Sequence, residues 1–158
     1  MQAMTLSLAT GVLALDLGTK RIGLAVSDDA QRVATPVGTL ARHGDRPRLH
    51  REIADLVVEW EAGVLLLGLP IALDGTLGPA ATAVLAERDE LAEVVPVPVV
   101  VHDERMTTRI AERSLRERGD LDAKARKEVI DQMAATVILQ DWLDHGPHGE
   151  AAEEAPRS

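Results

Sequence analysis

Apolar positions along the chain change period several times, and each change marks an element. Val12-Leu13-Ala14-Leu15-Asp16-Leu17 is a near-continuous apolar run ended by Gly18. Runs without polar alternation belong to strands buried on both faces, so this segment predicts a central strand. Thr19-Lys20 predicts a tight turn into an antiparallel second strand over Ile22 to Ser27, closed by Asp28-Asp29. Val33 to Leu40 reads as a third strand. Pro36 lacks the ladder N–H and puts that strand at a sheet edge.

The period then lengthens. Leu49, Ile53, Leu56, Val57 and Trp60 recur at helical spacing, which predicts an amphipathic helix over Pro47 to Glu61 with proline near its start. Val64 to Leu69 is a further apolar strand, stopped by Pro70. Asp74-Gly75 and Gly78-Pro79 punctuate a loop before an Ala/Leu-rich helix from Ala80 to Glu93, and Val97 to His102 is the last strand. Helices over Thr107 to Arg118 and Ala123 to Asp144 follow, then a polar tail from His145 to Ser158, expected to be disordered. No repeat or linker divides this order. It predicts one α/β domain over residues 1–144, with a mixed sheet whose later strands are parallel.

Composition narrows the function. The chain has 158 residues, 46% of them apolar, a size at which one core forms without staples. It has no Cys, which excludes disulfides, thiolate metal sites and a cysteine nucleophile and fits a cytoplasmic protein. No apolar run approaches the roughly 20 residues of a membrane helix. Met1 to Thr10 lacks a basic leader, so no signal peptide is expected. The net charge of −9 and the presence of only two aromatic residues, both Trp, argue against a base-stacking nucleic-acid binder.

The distribution of charge changes that picture. Residues 40–51 carry +3 through Arg42, Arg46, Arg48 and Arg51 against Asp45, and residues 103–127 carry +2. The rest of the chain carries −14. Two solvated helix faces account for these basic segments; a local strip for phosphates accounts for them too. Arginine outnumbers lysine 14 to three, which suits bidentate contact with phosphate or carboxylate.

Three acids stand out. Asp16 interrupts a run expected to be buried, so it needs a hydrogen-bond donor, a cation such as Arg21 or Lys20, or a metal. Glu104 lies just past the last strand, where parallel sheets collect ligands, although Asp103 and Glu104 also suit a capping or surface role. Asp131 shares a helix face with Lys127, Ala134, Ala135, Ile138 and Trp142, at the start of an apolar stripe whose alanines permit close approach. Carboxylates brought together in this way need a cation among them. Mg²⁺ favours a few carboxylates with water and phosphate, and a pair of such ions supports in-line phosphoryl displacement. His102 is expected to pack or hydrogen-bond at its strand end.

The run from Leu15 to Asp28, LDLGTKRIGLAVSD, resembles the opening motif of the YqgF/RuvX family, the Holliday-junction-resolvase-like and pre-16S ribosomal RNA nucleases. Three further blocks match in order: Gly68-Leu69-Pro70 with Asp74-Gly75-Thr76, Asp103 through Thr108, and Lys127 through Ala135. The resemblance covers about Val12 to Leu143. It implies an RNase H-like (RuvC-like) fold with a five-stranded mixed sheet flanked by helices. It also implies a metal-dependent hydrolase of phosphodiester bonds, with Asp16, Glu104 and Asp131 as catalytic ligands of Mg²⁺ or Mn²⁺, two ions in all. Lys20, Arg21, Arg105, Thr108 and Lys127 match the family's motifs and are its candidates for phosphate contact; capping or ion pairing suits each of them as well. One departure is Ala72, where the family often has Asn, which removes a side chain that would reach substrate.

The leading expectation is therefore a cytoplasmic nuclease acting on structured RNA in processing of the 5′ end of pre-16S rRNA, as monomer or homodimer. A junction resolvase or DNA nuclease is the nearest alternative, with DNA junctions or single strands as substrate. Two other classes remain open: a ribosome-assembly binding factor without catalysis, and a small actin-like ATP-binding domain suggested by Asp16 to Lys20. The scarcity of aromatic residues favours recognition through phosphates and shape over base reading.

Overall fold

The computed structural model describes residues 11–71, 74–103 and 133–145. Three strands lead, β1 (Gly11–Leu17), β2 (Arg21–Ser27) and β3 (Ala34–Ala41), followed by α1 (Arg46–Glu59), β4 (Ala62–Leu69), α2 (Pro79–Val94) and β5 (Val99–Asp103). A helix over 133–145, here α3, closes the described chain. The strands form one sheet in the order β3-β2-β1-β4-β5. β1 pairs antiparallel with β2 and parallel with β4; β2–β3 is antiparallel and β4–β5 parallel. This is the mixed five-stranded RNase H-like arrangement that the motifs imply.

The burial pattern explains the order. Val12 to Leu15 and Leu65 to Leu67 are at most 1% exposed, so β1 and β4 are the two-face-buried centre. β3 lies at the edge and holds Pro36 opposite Ala25, with a register shift beside that pair. Alternation then sorts side chains into two layers. Leu13, Leu15, Ile22, Leu24, Leu65 and Leu67 face α1 and α2, where Leu49, Ile53, Val57, Ala81, Val84 and Leu91 meet them. Val12, Ala14, Ala25 and Leu66 face α3, which presents Ala135, Ile138, Leu139, Trp142 and Leu143. The alanine-bearing stripe expected on the last helix is thus the buried one over the residues described.

Boundaries differ in physically readable ways. Asp45 caps α1 by accepting a hydrogen bond from Arg48 N at 3.1 Å, so the helix starts one residue earlier than the proline suggests. α1 ends at Glu59, and Trp60, expected on its apolar face, is the C-cap and 43% exposed. Glu61 turns the chain with φ of 51°, and β4 begins at once, two residues before the apolar run. The expected helix over Thr107 to Arg118, the first half of the last helix and residues 146–158 lie outside the described residues. No helix among the described residues is long and apolar enough to cross a membrane.

Candidate active site

Asp16 is half-buried near the C-terminal end of the central strand. Its parity with Val12 and Ala14 puts it on the α3 face of the sheet. Its partner across β2 is Gly23, and on β4 the pairing of Leu15 with Leu67 is followed by Gly68. The carboxylate therefore sits in a row whose positions on both adjacent strands are glycines. No neighbouring strand side chain crowds it there, and an oxygen-bound cation with its waters fits such a row.

The same row reaches β5 through Gly68 and His102, which are paired. His102 Nε2 lies 2.6 Å from Asp141 Oδ2 on α3, so the expected strand-end hydrogen bond is present and ties β5 to the helix. Gln140 fastens the other flank: its Oε1 accepts from Ala34 N and its Nε2 donates to Arg32 O, both at 2.9 Å. Asp28 closes the β2–β3 loop by accepting from Arg32 N and Val33 N. Those two backbone donors hold its carboxyl below the ordinary aspartate value.

The turn after Asp16 carries two of the residues expected to contact phosphate, Lys20 and Arg21. Gly18 N donates to Arg21 O at 3.0 Å, and a Cβ on Gly18 would stand 2.5 Å from that same oxygen, so only glycine fits. Lys20 is exposed at the tip, and Arg21 is half-buried at the start of β2. Glu104, Arg105, Thr108, Lys127, Asp131 and Ala72 lie outside the described residues. Glu104 is the next residue after β5, and Asp131 stands three positions before buried Ala134. Among the described residues no three His, Asp or Glu side chains group as a metal site.

One segment corrects the sequence reading. The arginines of residues 42–51 are, for the most part, engaged with acids. Arg42 grips Glu87 with both terminal nitrogens, Nη2 at 2.9 Å and Nη1 at 3.2 Å. Arg46 Nε donates to Glu90 at 2.8 Å, and Arg48 Nε lies 3.5 Å from Glu52. Arg42 at least is no part of a landing strip, because its guanidinium is turned inward. Sequence reasoning also missed the acid at the centre of this network. Glu87 is 4% exposed, and His50, also 4% exposed, places Nε2 at 2.7 Å from its Oε2. Burial raises the Glu87 carboxyl, but hydrogen bonds from Arg42 and His50 and the charges of Arg42 and Arg46 outweigh it and hold the group below the ordinary glutamate value. Its signal was legible: Glu87 falls on the stripe of Val84 and Leu91.

Comparison with known proteins agrees with the four sequence blocks. A protein from Thermoanaerobacter pseudethanolicus named "Putative pre-16S rRNA nuclease" is 39% identical over 133 residues, covering 84% of this chain and 95% of that protein. Relatives of the same name from Anaeromyxobacter sp. and Mycobacterium ulcerans are 45% and 47% identical, each over 84% of this chain and over 95% and 77% of their own lengths. Among solved structures, RuvC of T. thermophilus in complex with a Holliday junction substrate aligns with a TM-score of 0.49 at 18% identity, covering 87% of this chain and 96% of that one. The family model RuvX, described as Holliday junction resolvase, matches residues 10–145, and the chain belongs to that family.

Proposed function

We propose that the chain is a divalent-metal-dependent nuclease that hydrolyses phosphodiester bonds of structured nucleic acid, with precursor 16S ribosomal RNA in the cytoplasm as its substrate. The observation that carries this reading is the position of Asp16. It stands at the end of the central strand, between glycines, on the face closed by α3. In the chain Glu104 is the residue after β5 and Asp131 comes shortly before α3, and this reading brings both to the strand end that carries Asp16. An all-carboxylate donor set in a chain without cysteine suits Mg²⁺ or Mn²⁺ and not zinc.

Asp16, Glu104 and Asp131 would hold two such ions, which supply activation of water and stabilisation of the leaving oxygen when bound. The protein's own part is positional. The central strand fixes Asp16, and the Gly18–Lys20 turn presents Lys20 and Arg21 toward phosphate. Arg105, Thr108 and Lys127 are the remaining phosphate contacts of this reading. The relatives' names support ribosomal RNA, while the family's description favours a four-way junction as the second substrate.

The test is cleavage of structured RNA, single-stranded DNA and a four-way junction side by side, with Mg²⁺, Mn²⁺ or EDTA. Metal-dependent cleavage with RNA preferred supports the reading, and preference for the junction replaces the substrate. Equal activity in EDTA contradicts it, as does full activity of Asp16→Asn. Submicromolar binding of ATP-Mg²⁺ without cleavage would favour the nucleotide-binding class instead.

A further inference from the structure

The buried network on the opposite face of the sheet reaches the turn that follows Asp16. Arg42 Nε donates to Gly18 O at 2.7 Å, and Arg42 N donates to Lys20 O at 2.9 Å. Two carbonyls of the Gly18–Lys20 turn are thus held by one residue at the end of β3. The guanidinium making the first bond is itself oriented by Glu87, which takes both of its other nitrogens. Glu87 is fixed in turn by His50 from α1. Beside the turn, Gly18, Thr19, Arg42, Pro70 and Glu87 help to line an open cleft of about 330 Å³, while Leu17 before it packs on the core.

A buried ion pair is weak evidence for stability alone, since apolar residues of like volume often serve as well. What the guanidinium adds is geometry: three donors in one plane serve a carboxylate and a carbonyl at fixed angles, which an ammonium does not reproduce. We propose that Arg42 is a positioning residue: oriented by Glu87, it sets the Gly18–Lys20 turn so that Lys20 and Arg21 face the substrate phosphates. The inference rests on the nuclease reading above and deepens it. It assigns to one partly buried arginine the placement of contacts made on the other side of the sheet.

Arg42→Lys keeps the charge beside Glu87 and loses the simultaneous reach to Gly18 O. Three readouts are needed: thermal midpoint, amide hydrogen exchange of the peptide spanning Leu17 to Ile22, and kcat and KM for a labelled structured RNA in Mn²⁺. The variant should melt within a few degrees of the parent and exchange the turn amides about tenfold faster. Its KM should rise about tenfold with kcat within twofold, because the metal-binding acids stay in place. Glu87→Gln, which keeps an acceptor for the guanidinium, should move exchange and KM in the same direction by about threefold, and it carries the test if Arg42→Lys does not fold.

Unchanged turn exchange with unchanged KM in a parent that cleaves overturns this inference alone. So does a fall in kcat that tracks the fraction unfolded while KM stays fixed. A parent that cleaves neither structured RNA nor single-stranded DNA nor a four-way junction in Mg²⁺ or Mn²⁺ overturns the nuclease reading, and the role of the turn with it.

Discussion

The two faces of the sheet handle a carboxylate in opposite ways. On the α1/α2 face, Glu87 is buried among the protein's own basic side chains, with Arg42 and His50 in hydrogen-bond contact and Arg46 3.8 Å away. On the α3 face, Asp16 stands half-buried at a strand end, flanked along the sheet by glycines. The first arrangement sets an acid among basic side chains, and the second sets one between strand positions that carry no side chain. A carboxylate on an apolar stripe is therefore not by itself a sign of a metal site.

The sharpest way to break the comparison is to remove the anchor. Glu87→Ala leaves Arg42 and buried His50 without their shared acceptor, and breaking one side of a buried ion pair costs about 3–5 kcal/mol. Urea unfolding should show this loss, and a change below about 1 kcal/mol would mean that the network is dispensable. The packing of the opposite face comes next. Ile138 is fully buried against β1 and β4, so Ile138→Ala should cost about 2–5 kcal/mol by the same measurement.

Acid titration tests the Glu87 network by another route. The Glu87 carboxyl is lowered in the folded state, so its contribution is present above the unfolded-state value, about 4.3, and is lost as pH falls through the folded one. Thermal midpoints between pH 3 and 7 should fall on the acid side in the parent. That fall should be shallower in Glu87→Gln. Identical profiles would remove Glu87 from the acid limb. The smallest effect belongs to the helix cap: Asp45→Ala should cost about 1 kcal/mol through loss of the bond to Arg48 N, read as a shift in the urea midpoint.

Much of this architecture was legible in the sequence because the central strands are so uniformly apolar. β1 and β4 declare themselves by continuous runs, β3 by its proline, and α3 by a stripe in which every described member proves buried. Asp16 was legible as the one polar residue within such a run. Its glycine neighbours were not, because pairing register is a long-range property that no local period encodes. The inward turn of Arg42 escaped for a related reason. Arg42, Arg46, Arg48 and Arg51 look alike along the chain, and only the approach of α2, some 45 residues later, selects Arg42 for the bidentate pair with Glu87. Trp60 shows the limit of periodicity, since helical spacing continues one residue past the helix and the cap sets its side chain outward.

The central claim is that Asp16 is a metal ligand while Glu87 is a structural anchor. Thermal denaturation of the parent, Asp16→Asn and Glu87→Gln, each with and without Mn²⁺, tests it most directly. A ligand at about 100 times its Kd stabilises the folded state by about 2.7 kcal/mol, and in a chain of this size each kcal/mol moves the midpoint by about 2–4 °C. The account predicts a Mn²⁺-dependent rise of several degrees in the parent and in Glu87→Gln, and none in Asp16→Asn. A rise in Asp16→Asn equal to that of the parent would contradict it.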